Sequence, residues 1–257
     1  MTDQRQPPTI LGSKNYASPS VFLPENLLRE ARRQRHLPNQ AVPGVCMLDP
    51  DGDVVRTLRA LNHARAAPGW ACYHTAMDVT EHAGLAFGIV GLAVGAPFAV
   101  LVAEQLFASG CELLVSVTSA GQIQPLAPTP SFVLPYFVLI DRALRDEGTS
   151  FHYQPPSLFA EADPALADRA YAGVRGLPIQ VRRGISWTTD APYRETEDAI
   201  SAARAHGALA VEMEAAALYA FARARNRAVL CFAHVTNQMA RADGDFEKGD
   251  LDGTGDT

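Results

Sequence analysis

Residues 210–222 read A-V-E-M-E-A-A-A-L-Y-A-F-A, and the stretch changes character in its middle. Residues 208–211 form an apolar, strand-like run, and the alanine-rich segment after Met213 has helical periodicity. Two carboxylates, Glu212 and Glu214, flank Met213 at the change-over. A carboxylate buried without a partner costs several kcal/mol or is neutralised. The carboxyl end of a strand in an α/β sheet is, however, where ligands usually bind. The junction therefore predicts a ligand rich in hydroxyl donors. The alternative is a helix N-terminus whose Glu residues complement the macrodipole, at about 0.3–1 kcal/mol each.

Outward from this junction, strand and helix patterns alternate. Apolar runs at 45–48, 85–92, 111–124, 179–189 and 228–236 read as strands, and 24–36, 98–109, 163–173 and 195–206 read as helices. Asp163 supplies N-cap chemistry with Pro164 at the first helical position, and Pro97 stands near the start of 98–109. Such alternation predicts a three-layer αβα domain around a largely buried sheet. The expected organisation is an N-terminal arm and helix (1–44), the main domain (45–242) and an acidic, Gly-rich tail (243–257).

With 257 residues and 47% hydrophobic content, the chain can bury a sizeable core. A net charge of −6 without Lys/Arg blocks argues against a nucleic-acid partner and for a small molecule. No run of about 20 apolar residues is present. The N-terminal sequence lacks the apolar segment of a signal peptide, so a cytoplasmic location without membrane contact is expected. Cys46, Cys72, Cys111 and Cys231 are far apart, without C-x-x-C spacing, and read as reduced core thiols. No metal site is expected.

Several turns carry polar chemistry. After the first strand, D-P-D-G-D (49–53) precedes a helix-like V-V-R-T-L-R-A-L. Its spaced carboxylates resemble the start of a calcium loop but lack the later bidentate Glu. The turn after 85–92 is Gly-punctuated. Residues 111–124 end in V-T-S-A-G, whose hydroxyls suit a polar pocket. The loop T-T-D-A-P-Y-R offers Trp187, Asp190 and Tyr193, with core packing the alternative for Trp187. The last strand ends in Thr236 and Asn237. Ser119 is not in the G-x-S-x-G elbow that an esterase would need.

V-E-M-E-A-A resembles the sugar-binding signature of the nucleoside phosphorylase and nucleosidase superfamily. The resemblance runs from about 45 to 248. It implies the phosphorylase fold, with a mixed, partly barrel-like sheet, in a homodimer or hexamer. It also implies that Glu214 holds the ribose hydroxyls, that Met213 packs on the sugar and that Glu212 belongs to the same sugar site. The neutral amide of Asn237, with Thr236, would contact a purine edge, and an aromatic ring, Tyr193 or Trp187 near Asp190, would stack on the base. R-D-E-G-T-S-F-H-Y (145–153) resembles a run common in bacterial members, and its His152 reads as a hydrogen-bonded interface residue.

The phosphate or water site is where the sequence departs from the family. Phosphorylases carry a G-D-P-x-R turn, for which Gly52 and Arg56 are one alignment here and Leu48 with Asp53 the other. They also carry an Arg where Ser116 stands, while V-T-S-A-G is closer to the nucleosidase T-G-S-A-G and places Ser119 at the phosphate or water site. These features favour hydrolysis, with Asp53 as the base that activates water, over phosphorolysis. No cofactor is implied, inorganic phosphate being a co-substrate only if the reaction is phosphorolytic. A catalytically silent nucleoside-binding protein is the reading from another class.

Overall fold

The computed structural model describes residues 14–124 and 134–239. Its strands are β1 Val45–Asp49, β2 Arg65–Ala66, β3 Asp78–His82, β4 Leu85–Gly91, β5 Leu113–Gln122, β6 Tyr136–Asp146, β7 Phe159–Glu161, β8 Val181–Thr189, β9 Ala208–Glu212 and β10 Ala228–Asn237. Its helices are α1 Pro24–Arg35, α2 Asp53–Ala60, α3 Ala96–Ala108, α4 Ser150–Tyr153, α5 Pro164–Val174, α6 Glu197–Ala205 and α7 Ala215–Arg225. The arm before residue 14 and the expected tail at 243–257 lie outside the described residues.

The sheet runs β10-β6-β8-β9-β5-β1-β4-β3-β2, and a further β10–β5 pairing closes its first part on itself. The closed part consists of β5, β10, β6, β8 and β9, with β1, β4 and the β3–β2 ribbon extending from it. Strand β5 makes this possible because its length is shared among three neighbours. Leu113–Ser116 pairs with β1, Leu113–Gly121 with β10, and Gly121 and Gln122 with β9. The mixed, partly barrel-like sheet expected from the family resemblance is thus present. Residues 141–153, read from the sequence only as a motif, instead continue the long strand β6 and then turn into α4.

Helix α7 is buried along residues Ala215–Ala222, five of these eight being alanine. Small side chains let it lie close to β6, β8 and β10. Its Tyr219 hydroxyl donates to the Ile140 carbonyl at 2.6 Å and accepts from the Cys231 amide at 3.0 Å. A helix apolar on every side belongs inside a protein, and α3 packs beside it through the Phe107–Phe221 ring pair. All four cysteines are free and buried in this interior, as the spacing predicts. Helix α5 starts as expected, with Asp163 Oδ1 accepting from the Leu166 amide at 2.8 Å.

Candidate active site

β1, β4, β5 and β10 run parallel, so their carboxyl ends and the turns that follow them lie on one side of the sheet. Glu214 sits there as the residue before α7 and is only 1% exposed. Its Oε1 accepts from the Gly95 amide at 2.7 Å and its Oε2 from the Thr118 hydroxyl at 2.9 Å. Gly95 reaches it with φ of +90°, a conformation that side chains rarely adopt, which is why the turn before α3 ends in glycine. Burial, and next the charge of Glu212, push the Glu214 carboxyl up to about 8. Met213 is half-buried, and its amide lies 3.3 Å from Glu214 Oε2.

Glu212 faces other partners than a sugar. Its Oε1 accepts from the Ser186 and Thr188 hydroxyls at 2.9 and 2.5 Å, and its Oε2 from the Glu214 and Ala215 amides at 2.7 Å each. These donors fill the acceptor positions of a carboxylate. Burial pushes its pKa up and the donors oppose that rise. Glu212 therefore ties β8 to the first turn of α7 and is removed from the expected sugar set.

The D-P-D-G-D turn distributes its carboxylates to different tasks. Asp49 is buried, and its Oδ2 accepts from the Val55 amide at 2.9 Å, which anchors the first turn of α2. Burial chiefly, with the charges of Asp51 and Asp53 adding to it, pushes Asp49 up to about 6. Gly52 has φ of +78°, and a Cβ there would stand 2.8 Å from the Leu92 side chain. Asp53, expected to be the base, is ion-paired with Arg56 one helical turn on. Asp51 crosses to β5, where its Oδ2 accepts from the Ser119 amide at 2.8 Å and its Oδ1 from the Ser119 hydroxyl at 2.9 Å.

A cavity of about 180 Å³ opens at this point, lined by Asp49, Asp51, Thr118, Ser119, Phe137 and His234 together with apolar and hydroxyl groups of α2. Phe137 and His234 stack at 4.4 Å and 7°, because they are paired across β6 and β10. Asp53, Arg56 and Ser116 do not line it, and among the described residues no Arg or Lys lines it. Ser116 lies two residues before Thr118 on the same strand face, 1% exposed, its hydroxyl without a partner among the described residues. Of the residues expected at the phosphate or water site, Ser119 lines this cavity, held by Asp51. Asp51 was visible as a carboxylate in D-P-D-G-D, but only the crossing to β5 singles it out from Asp49 and Asp53.

The expected base-binding residues divide in the same way. Trp187 is 4% exposed in a cluster with Ile123, Leu144 and Ile200, and its Nε1 donates to Asp146 at 3.0 Å. Asp190 accepts from the Gly148 amide at 2.9 Å. Both hold the turn that follows β6, and neither lines the cavity. Tyr193 is 99% exposed on the turn Pro192–Arg194 and does not line the cavity. Asn237 is buried at the end of β10, its Nδ2 donating to Thr236 Oγ1 at 3.2 Å and its Oδ1 accepting from the Met239 amide at 2.9 Å. His152 contacts Lys14 at 2.8 Å, a tie between the N-terminal segment and α4.

A mixed, partly closed sheet with a buried acidic junction at its strand ends defines an α/β protein with a strand-end ligand site. The family model described as "Phosphorylase superfamily" matches residues 82–254, about two thirds of the chain, and the chain belongs to that superfamily. Uridine phosphorylase from Vibrio fischeri ES114 is similar in structure, with a TM-score of 0.65 and 22% identity over 77% of this chain and 80% of that one. The same enzyme complexed with 6-hydroxy-1-naphthoic acid gives a TM-score of 0.67 and 20% identity over 81% and 84%. No curated protein matches the sequence. The D-P-D-G-D turn lies before the matched residues. Among the described residues no helix is long and apolar enough to cross a membrane.

Proposed function

We propose that the protein cleaves the N-glycosidic bond of a nucleoside, with water as the nucleophile and a purine as the preferred base. The observation that carries this reading is the state of Glu214: a buried carboxyl whose Oε1 accepts from the Gly95 amide and whose Oε2 accepts from the Thr118 hydroxyl and, at 3.3 Å, from the Met213 amide. A carboxylate has about four acceptor positions, so one remains for a sugar hydroxyl, and a neighbouring hydroxyl can take the position of the long Met213 contact. Those donors favour the ionised form and offset the burial that otherwise holds the proton on it. Met213 supports the sugar face. The second Nδ2 proton of Asn237 reaches a purine ring nitrogen while Thr236 contacts the same edge, which stabilises charge as it develops on the leaving base.

Water is favoured because the cations that phosphate would need are committed elsewhere. Arg56 pairs with Asp53, and Arg59 holds Asp78 through both carboxylate oxygens at 2.6–3.1 Å. The scheme requires no cofactor. A homodimer or hexamer fits the exposed apolar residues Leu92 and Val94 on the turn beside Glu214, 68% and 50% exposed in one chain.

The test is turnover of inosine, adenosine and uridine in phosphate-free buffer and again with phosphate, scoring ribose against ribose 1-phosphate. Ribose released at equal rates in both buffers, fastest from a purine nucleoside, is expected. Phosphorolysis is the second reading, favoured by the similarity to a uridine phosphorylase. Strict phosphate dependence would establish it, and faster cleavage of uridine would overturn the purine assignment. Binding without turnover of any of the three would leave the silent binder.

A further inference from the structure

We propose that Asp51 is an internal anion that occupies the donors a phosphate would use, and that it thereby selects water as the nucleophile. The inference rests on the nucleoside-cleaving reading above and adds the residue that decides what attacks. Both oxygens of Asp51 accept from one residue, the Ser119 amide at 2.8 Å and the Ser119 hydroxyl at 2.9 Å. An amide and a hydroxyl converging in this way make the kind of concave donor pair that takes an oxyanion. Here the chain supplies the oxyanion itself, reaching from the turn after β1 to the end of β5.

The surroundings reinforce that choice. Asp49 lines the same cavity as Asp51, and among the described residues no Arg or Lys lines it. A phosphate entering would lose the Ser119 donors to Asp51 and face its charge at close range, an unfavourable juxtaposition of like charges. A water is neutral, can donate to a carboxylate oxygen of Asp51 and fits a cavity of about 180 Å³. In the step, the water oxygen bonds to the anomeric carbon as the carbon–nitrogen bond breaks. The electron pair of that bond leaves with the base, the water proton passes to the Asp51 carboxylate, and the base takes a proton from solvent.

Inorganic phosphate is titrated by calorimetry into the full-length wild type, Asp51→Ala and Asp51→Asn, with no nucleoside present. Removing the carboxylate frees the Ser119 pair, so Asp51→Ala is expected to bind phosphate at least about tenfold more tightly than wild type. Asp51→Asn keeps an oxygen for Ser119 but loses the charge, and falls between the two. Wild-type affinity equal to that of both variants overturns the proposal. Should the alanine variant fail to fold, wild-type-like affinity in Asp51→Asn alone overturns it. Because the titration needs no turnover, a gain of phosphate binding in a protein that cleaves no nucleoside would sink the functional reading and the choice of nucleophile, while keeping Asp51 as the anion that occupies the Ser119 donors. Cleavage by a wild type whose phosphate affinity Asp51 does not affect would do the reverse.

Discussion

Replacing Glu212 tests whether the first carboxylate of V-E-M-E-A-A is structural. Glu212→Ala removes the acceptor for the Ser186 and Thr188 hydroxyls and for the Glu214 and Ala215 amides, all of them buried. Thr188 still accepts from the Ala216 amide at 3.0 Å, but its hydroxyl proton and the other three donors lose their partner in a dry site. At roughly 1 kcal/mol for each orphaned donor, the loss comes to about 3–5 kcal/mol, a large fraction of the 5–15 kcal/mol typical of a folded protein. Relief of the repulsion on Glu214 offsets part of it. For a chain of this size the melting temperature should fall by about 6–20 °C. Glu212→Gln keeps the shape: its oxygen serves the two amides and its NH2 faces hydroxyls that can turn to accept. That variant should cost no more than about 1 kcal/mol. Urea unfolding with the midpoint and slope fitted separately measures both values. An alanine variant within about 1 kcal/mol of wild type, or a glutamine variant as unstable as the alanine one, would refute the structural assignment.

Glu214 carries the opposite expectation, and it is tied to pH. Its folded-state value of about 8 lies above the ordinary value of 4.5, so the folded protein holds a proton that the unfolded chain releases between them. The stabilisation associated with that proton is full below 4.5 and is lost as pH rises through 8. Wild type should therefore lose stability relative to Glu214→Gln between pH 5 and 8, and parallel melting curves across that range would contradict the burial. The same Gln variant should fold yet lose turnover by at least about a hundredfold, since an amide satisfies only part of the sugar geometry. Asp53→Asn, at a residue paired with Arg56 and not lining the cavity, should leave the rate within about twofold of wild type. A steep fall in that rate would return the base role to Asp53.

The sequence by itself determined the alternation of strand and helix, because apolar periodicity is local and each run states its own period. It also determined that a carboxylate pair stands at a strand-to-helix junction, since the change of period and the two Glu residues share a few positions of chain, while their burial came from the structure. Closure of the sheet was carried only by family resemblance, because the β5–β10 and β5–β9 pairings join residues about a hundred positions apart. The division of labour among like residues was decided by the tertiary structure alone. Glu212 and Glu214 are two residues apart, yet one meets Ser186 and Thr188 and the other meets Gly95 and Thr118. Asp49, Asp51 and Asp53 share one turn, yet they cap a helix, cross to Ser119 and pair with Arg56. A carboxylate's role is set by the donors that reach its oxygens, and in a folded chain those donors come from segments that sequence order does not bring together.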